Sequence, residues 1–279
     1  MTQVGFVFVR QAGAPRFEPF FNEILVGLES VLVPAGVDVI VQVVEDPAQE
    51  LQVYRHWHDT RAVDAVVLKD LRVNDDRIQQ LTELGMAFAV LADVTQVGEF
   101  AAVRIDNARA MHDSMNFLVE RGHRTIGRVT GPTELVHTKI RTDALVEAAR
   151  AAGVRVSVVT GDYSSQSGYR TTTSLLTSTP RPTAVVYDND LMALGGLDAV
   201  RELGLDVPTA VSLLAWDDSV ACQLASPPLS ALRHDVQEMG VQLGNVLLTL
   251  LSTGPTSTRA AQPIIVERGS STAVALERS

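Results

Sequence analysis

Short apolar runs and helix-period segments alternate along almost the whole chain. Residues 4–9 are an apolar run, the pattern of a strand buried on both faces. Phe20, Ile24, Leu28 and Leu32 follow at helical spacing behind Pro19, a residue tolerated in a first helical turn, and Pro34 with Gly36 stops that helix. The same cadence predicts strands at 37–44, 63–68, 87–91 and 102–105, with helices at 47–60 and 75–84. It then resumes. Helix 106–120 is closed by Gly122, and strand 125–129 leads to helix 139–152, ended by Gly153. Strand 154–160, helix 164–177, strand 183–187, helix 190–203 and strand 211–216 follow. A last long helix covers 235–251, and short strands at 264–266 and 273–275 finish the chain. Residues 252–261, rich in Thr, Ser and Gly, read as a surface loop.

Strand–helix alternation predicts an α/β protein with parallel sheets covered by helices on both faces. The strands are too many for one small sheet, and they divide near Ile105 into two similar sets. Two doubly wound lobes follow. The late helix comes after the second set is complete, so it is expected to return to the first lobe, joining the lobes by several crossings. The expected division is 1–105 plus 236–262 for the N-terminal lobe and 106–235 plus 263–279 for the C-terminal one.

Composition narrows the function classes. The 279 residues carry 23 Lys and Arg against 33 Asp and Glu, a net charge of −10. That disfavours a self-sufficient nucleic-acid binder, which shows a basic footprint, and an adhesive for anionic membranes. One cysteine, Cys222, excludes an intramolecular disulfide framework and fits a reducing compartment. The N-terminus lacks the basic start of a signal peptide, and no apolar stretch approaches the roughly 20 residues of a membrane span. A cytoplasmic protein is expected.

Ligands of open parallel sheets bind beyond the carboxyl ends of the strands. The residues there are Arg10 and Gln11 after the first strand, with Phe20 and Phe21 on the next helix, then Lys69 and Asp70, and Asp93. In the second half they are Gly131 and Pro132, then Tyr163 in Gly161-Asp162-Tyr163, then Asp188-Asn189-Asp190, and Trp216-Asp217-Asp218, with Arg141 near a helix start. Carboxylates, amides and aromatic faces are the groups that hold hydroxylated small molecules. Any one of the acidic or amide residues also suits a helix N-cap, the commoner role for such a residue. Arg10, Lys69, Lys139 and Arg141 leave an anionic ligand open. Enzyme signatures are missing. There is no Gly-x-Gly-x-x-Gly after the first strand, no Gly-Lys-Ser/Thr phosphate loop and no Gly-x-Ser-x-Gly elbow. The histidines show no metal-ligand spacing, Cys222 lies in an apolar setting, and no cofactor or metal is expected.

Several segments together resemble the lactose/galactose repressor (LacI/GalR) family. Residues 19–29 resemble its opening helix. Arg104-Ile105-Asp106-Asn107, the Gly122-His123-Arg124-Thr125-Ile126 element, Asn189-Asp190-Leu191-Met192-Ala193, Trp216-Asp217-Asp218 and 227–232 follow in the family's order. The resemblance covers essentially the whole chain. It implies the periplasmic-binding-protein type I fold and a sugar-type effector in an interlobe cleft. By position it implies ligand contacts from Arg141, Tyr163, Asn189, Asp217 and Asp93 with the pair Phe20 and Phe21; Gln11 and Lys69 join them from the strand-end reading. It further implies a homodimer whose surface includes the first helix and residues 222–228. Operator DNA is expected to be contacted only through a helix-turn-helix headpiece, which is not in this chain. The alternative is a transporter's sugar-binding protein, which shares the fold. The chain departs from the family in a longer 11–18 loop, in Ala215 where Gly is usual, and in His137 and Lys139 where Ser and Thr prevail.

Overall fold

The computed structural model describes residues 2–9, 19–96, 98 and 100–274. Gln11 and Arg10 lie outside them. The chain forms two compact units, Met1–Asp106 with Asp235–Ala261, and Asn107–His234 with Gln262–Ser279. Each is built on one six-stranded sheet.

The first unit runs β1 (Thr2–Val9), α1 (Pro19–Leu32), β2 (Val37–Val44), α2 (Pro47–Thr60), β3 (Ala65–Leu68), α3 (Asp76–Glu83), β4 (Ala87–Asp93) and β5 (Ala101–Ile105). Its strand order ends β5-β4-β3-β1-β2, all parallel. Alternate strand residues serve opposite faces. Val4, Phe6, Phe8, Val67, Leu91 and Val103 pack under α1 on one side. On the other side Gly5 leaves room for an aromatic ring, because a Cβ there would stand 2.3 Å from the Trp57 ring of α2.

The second unit runs α4 (Asn107–Glu120), β6 (Thr125–Thr130), α5 (Val136–Ala152), β7 (Arg155–Thr160), α6 (Ser165–Leu176), β8 (Ala184–Tyr187), α7 (Asp190–Glu202), β9 (Ser212–Trp216), α8 (Val220–Leu224) and β10 (Ser230–Arg233). Val185 and Leu213 face one apolar core, while Ala184, Val186 and Leu214 face another, so this sheet is buried on both sides. After β10 the chain re-enters the first unit as α9 (Val236–Ser252) and β11 (Ser257–Arg259), then returns as β12 (Ile264–Val266). In α9, Val236, Met239, Leu243 and Leu247 complete the first unit's core.

The sequence pattern misses at the short edges. Residues 257–259 are a strand, not loop: β11 pairs in parallel with β5, and its flanks add bonds from Ala102 N–H to Thr256 O (3.0 Å) and from Ala260 N–H to Arg104 O (2.9 Å). Backbone pairing with a preformed edge outweighs the polar Ser-Thr-Arg composition. The expected strand at 273–275 is not seen in its described part; Val274 N–H bonds the turn at Arg121 O instead. The sheets are not wholly parallel, since β12 runs antiparallel to β10. The unpredicted β10 and α8 have only 4 and 5 residues, too few to show a period. Helix α5 starts at Val136 rather than 139, because its N-cap is Leu135, which lacks a capping side chain and so gives no sequence signal. Among the described residues no helix is long and apolar enough to cross a membrane.

Candidate functional site

In the second sheet, β6 lies between β7 and β8, so the connections leave it in opposite directions. The crevice at the carboxyl end of such a reversal is the usual ligand position in this architecture. Thr130 and Tyr187 end the two strands there, followed by Gly131 and Asp188.

A buried ion pair joins them. Arg128, with no exposed surface in the middle of β6, donates from Nη2 to Asp188 Oδ2 (2.8 Å) and Oδ1 (2.9 Å) and from Nε to Oδ1 (3.2 Å). Its Nη1 donates to Thr142 Oγ1 at 2.9 Å, and Gly131 N–H adds a bond to Asp188 Oδ2 at 3.0 Å. Burial pushes the Asp188 carboxyl up, but Arg128, then Arg141 and the Gly131 N–H, hold it below the ordinary carboxylate range. The pair thus ties β6, β8 and α5 into one frame.

Arg141 stands on that frame, about a turn and a half into α5. Its Nε–H donates to Asn107 Oδ1 at 2.8 Å and its Nη1–H to the Asp188 carbonyl at 3.3 Å. Its guanidinium carbon lies 3.9 Å from the Trp216 ring centroid, a cation–π contact. His234 lies beside the same indole, with ring centroids 6.0 Å apart. It is buried, and neither ring nitrogen has a hydrogen-bond partner among the described residues. Burial and then the Arg141 charge push its pKa down to about 3, so it is neutral.

Asn189 caps α7: its Oδ1 accepts from Met192 N–H at 2.9 Å, and its Nδ2 donates to the Tyr163 carbonyl at 3.0 Å. Tyr163 is held at φ 66° and is buried. Its ring lies over Gly131, where a Cβ would come within 2.1 Å of it, and its hydroxyl is 2.7 Å from His137 Nε2. Asp217 also adopts left-handed backbone, φ 73°, a strained state for a non-glycine residue. The next residue, Asp218, is clamped by Arg268 through two 2.7 Å bonds. Arg141, Tyr163 and Asn189 are thus linked in one bonded set around Asp188, while Asp217 follows Trp216 on the adjoining strand end.

The first unit has its own reversal at β1 and β3. Lys69 follows β3 with its ammonium 4.0 Å from the Phe21 ring centroid and 2.5 Å from Asp70. Phe21 is a core residue, edge-on to Phe8 at 5.5 Å and to the half-buried Phe20 at 5.2 Å. Arg77, paired with Asp75 and Glu50, donates to the carbonyls of Lys69 and Asp70, both at 3.0 Å, and so fixes this loop. Asp93 is buried and accepts from Thr95 N–H and Oγ1 at 2.9 and 2.7 Å, a turn-forming role. Gln11 has no described placement. The strand-end rule does not reach Arg128 or His234. A charge inside an apolar strand, as in Thr-Ile-Gly-Arg-Val-Thr, is the signal for a buried partner that would have found Arg128. Among the described residues no group of acidic, His and Cys side chains could hold a metal.

Comparison with known proteins bears on this arrangement. The periplasmic binding protein-like domain family matches residues 115–271. The transcriptional repressor CytR of Escherichia coli K12 is 29% identical over 238 residues, 83% of this chain and 69% of that protein. A LacI family transcriptional regulator from Bifidobacterium animalis subsp. lactis superposes with a TM-score of 0.89 at 30% identity, covering 98% of both chains. The transcriptional regulator CelR, solved as a cellobiose complex, superposes with a TM-score of 0.86 at 27% identity, covering 96% of this chain and 84% of that one.

Proposed function

We propose, from the premise that this chain belongs to the LacI family of transcriptional regulators and carries their periplasmic-binding-protein-like fold, that it is an effector-binding and dimerisation core for a sugar-like ligand. The observation that carries the reading is Arg141, anchored by Asn107, the Asp188 carbonyl and the Trp216 ring, with donors to spare at a strand-order reversal. Tyr163, Asn189 and Asp217 are proposed as further contacts, with Lys69, Phe20, Phe21, Asp93 and Gln11 contributing from the first unit. The cellobiose in CelR supports a saccharide class. A ligand that favours one lobe arrangement over another shifts the population, and so the DNA affinity of a headpiece outside these 279 residues. No catalytic step is part of this reading, and the protein is proposed to work in the cytoplasm. Its repressor relatives favour regulation over transport.

A thermal-shift screen of sugars, sugar derivatives, polyols and nucleosides tests this. A hit should lose affinity about 10- to 100-fold in Arg141→Gln, the worth of a charge-assisted bond, with folding unchanged. Unchanged affinity in both Arg141→Gln and Asp217→Ala would sink the site assignment. The dimer is proposed to use α1 and the 222–228 stretch. Val220 and Leu224 stand one helical turn apart on α8, 67% and 79% exposed, the latter within that stretch. Leu224→Asp should then sediment as a monomer at concentrations where the unaltered chain is a dimer.

A further inference from the structure

We propose that β7, the open edge of the second sheet, pairs antiparallel with β7 of a second copy of this chain, so that two sheets become one. β7 ends the strand order and pairs only with β6 among the described residues. Its register is fixed at both ends: Arg155 N–H donates to Arg124 O at 3.0 Å and Gly161 N–H to Thr130 O at 2.8 Å. Peptide groups alternate in direction along a strand, so the odd-numbered residues bond β6. Val156, Val158 and Thr160 direct their N–H and C=O groups outward, and no bond from them is seen among the described residues. Natural sheets blunt such edges with short strands, charges, proline or bulges. The remaining edges here follow that rule: β11 and β12 have 3 residues each, and β2 carries Asp38 and runs into Glu45 and Asp46. β7 reads Arg-Val-Ser-Val-Val-Thr, without proline and uncharged past its first residue.

The outward set is its own complement, which is why the occupant is a second copy. A two-fold axis at Val158 sets Val158 against Val158 and Val156 against Thr160. Every outward residue of the strand then meets an outward residue, giving about six backbone bonds. A slip of one residue would set outward groups against inward ones. The strand ends agree in charge. Arg155 opens β7 and Asp162 follows its end, so an antiparallel mate brings the arginine end of one copy to the aspartate end of the other, while a parallel mate aligns like charges. Asp162 keeps a long 3.9 Å contact with Arg170, so these charges choose the direction and add little strength. Apolar surface lies beside the edge as well. Val156 packs against the core that holds Ala144 and Leu145 of α5, and Val158 shares that face at 40% exposure, as exposed as Val146 of α5. This edge is separate from α1 and the 222–228 stretch, so a dimer built there still presents an open β7 on each chain.

Sedimentation velocity over a concentration series reads the pairing. The contact is small, so species larger than a dimer should appear only at about tenfold or more above the concentration that forms the 222–228 dimer. Val158→Pro removes one outward N–H and leaves the β6 ladder whole, and Val158→Lys charges the edge. Each should abolish the large species with the urea midpoint unchanged. At the same high concentration Leu224→Asp should form a dimer through β7 alone, which adding Val158→Lys dissolves. Mild oxidation reads the register. Val158→Cys faces its counterpart at a Cα separation of about 5.5 Å and should crosslink, whereas Val156→Cys lies about 14 Å from its counterpart and should not. The unaltered chain, whose Cys222 is buried, is the blank. Absence of any species beyond the dimer, or its persistence in both Val158 variants, overturns the proposal. Crosslinking at 156 as readily as at 158, or at neither, overturns the two-fold axis at Val158. A first dimer that survives Leu224→Asp and dissolves in Val158→Lys sinks the 222–228 reading and sustains this one.

Discussion

Arg128 and Asp188 form a buried pair that supports the proposed site without entering it. The pair is fully buried, and removing one member strands a charge without water. Arg128→Met should cost about 3–5 kcal/mol, while Arg128→Met with Asp188→Asn should recover most of that loss. Urea unfolding of the four combinations measures the coupling, and additive losses would show that the pair is not the frame described. His234 gives a pH dependence with a definite sign. Its pKa lies at about 3 in the folded chain against an ordinary 6.5, so between these values the unfolded chain binds a proton that the folded one refuses. Its contribution is therefore intact above pH 6.5 and lost as pH falls toward 3, at up to about 1.4 kcal/mol per pH unit. Asp188, lowered from 3.8, is lost only further down. His234→Gln should flatten the urea midpoint between pH 6.5 and 4. An unchanged slope there would mean that another group, such as the also lowered His123, governs the window. At this scale the sequence was half legible. Strand-end position brings out Tyr163 and Asn189, and Arg141 is read near a helix start, but which carboxylate neutralises which arginine depends on β6 and β8 being neighbours, and they are about 60 residues apart along the chain.

Elements were legible in proportion to their length. Helices of three or more turns and strands buried on both faces carry enough period to be read, and their registers follow. Strands of 3 or 4 residues such as β11 and β10 exist only because a neighbouring edge holds them. One contact between elements has a sharp requirement. Where α1 crosses α9, a Cβ on Gly27 would stand 2.0 Å from the Gln237 carbonyl, and one on Gly240 would stand 2.2 Å from the Ile24 carbonyl. Backbone meets backbone there, so no rotamer can relieve a methyl group. Gly27→Ala and Gly240→Ala should each destabilise by roughly 1–3 kcal/mol or more in urea, despite the better helix propensity of alanine. A stabilised variant would show that the helices can slide apart without loss.

At the scale of the molecule, the chain passes between the units after Asp106, after His234 and after Ala261. The two-set cadence made the α/β class readable, because each set repeats the same handed unit. The late position of α9 already implied its return to the first unit, but not which of its residues close that unit's core. Leu243 and Leu247 of α9 are fully buried in the first unit. A chain ending at His234 should therefore leave residues 2–106 without protection in limited proteolysis, and a stable fragment of that span would refute the dependence.

That interleaving bears on how the protein is made. The N-terminal sheet is synthesised early but cannot close its core until α9 has cleared the ribosome. The C-terminal sheet still needs Arg268 and Ser270, which brace Asp218 and the Leu213 carbonyl and are made after α9. Until α9 has been made, the nascent chain holds two unfinished apolar faces. A break in synthesis before α9 is complete is thus expected to leave neither unit with a closed core.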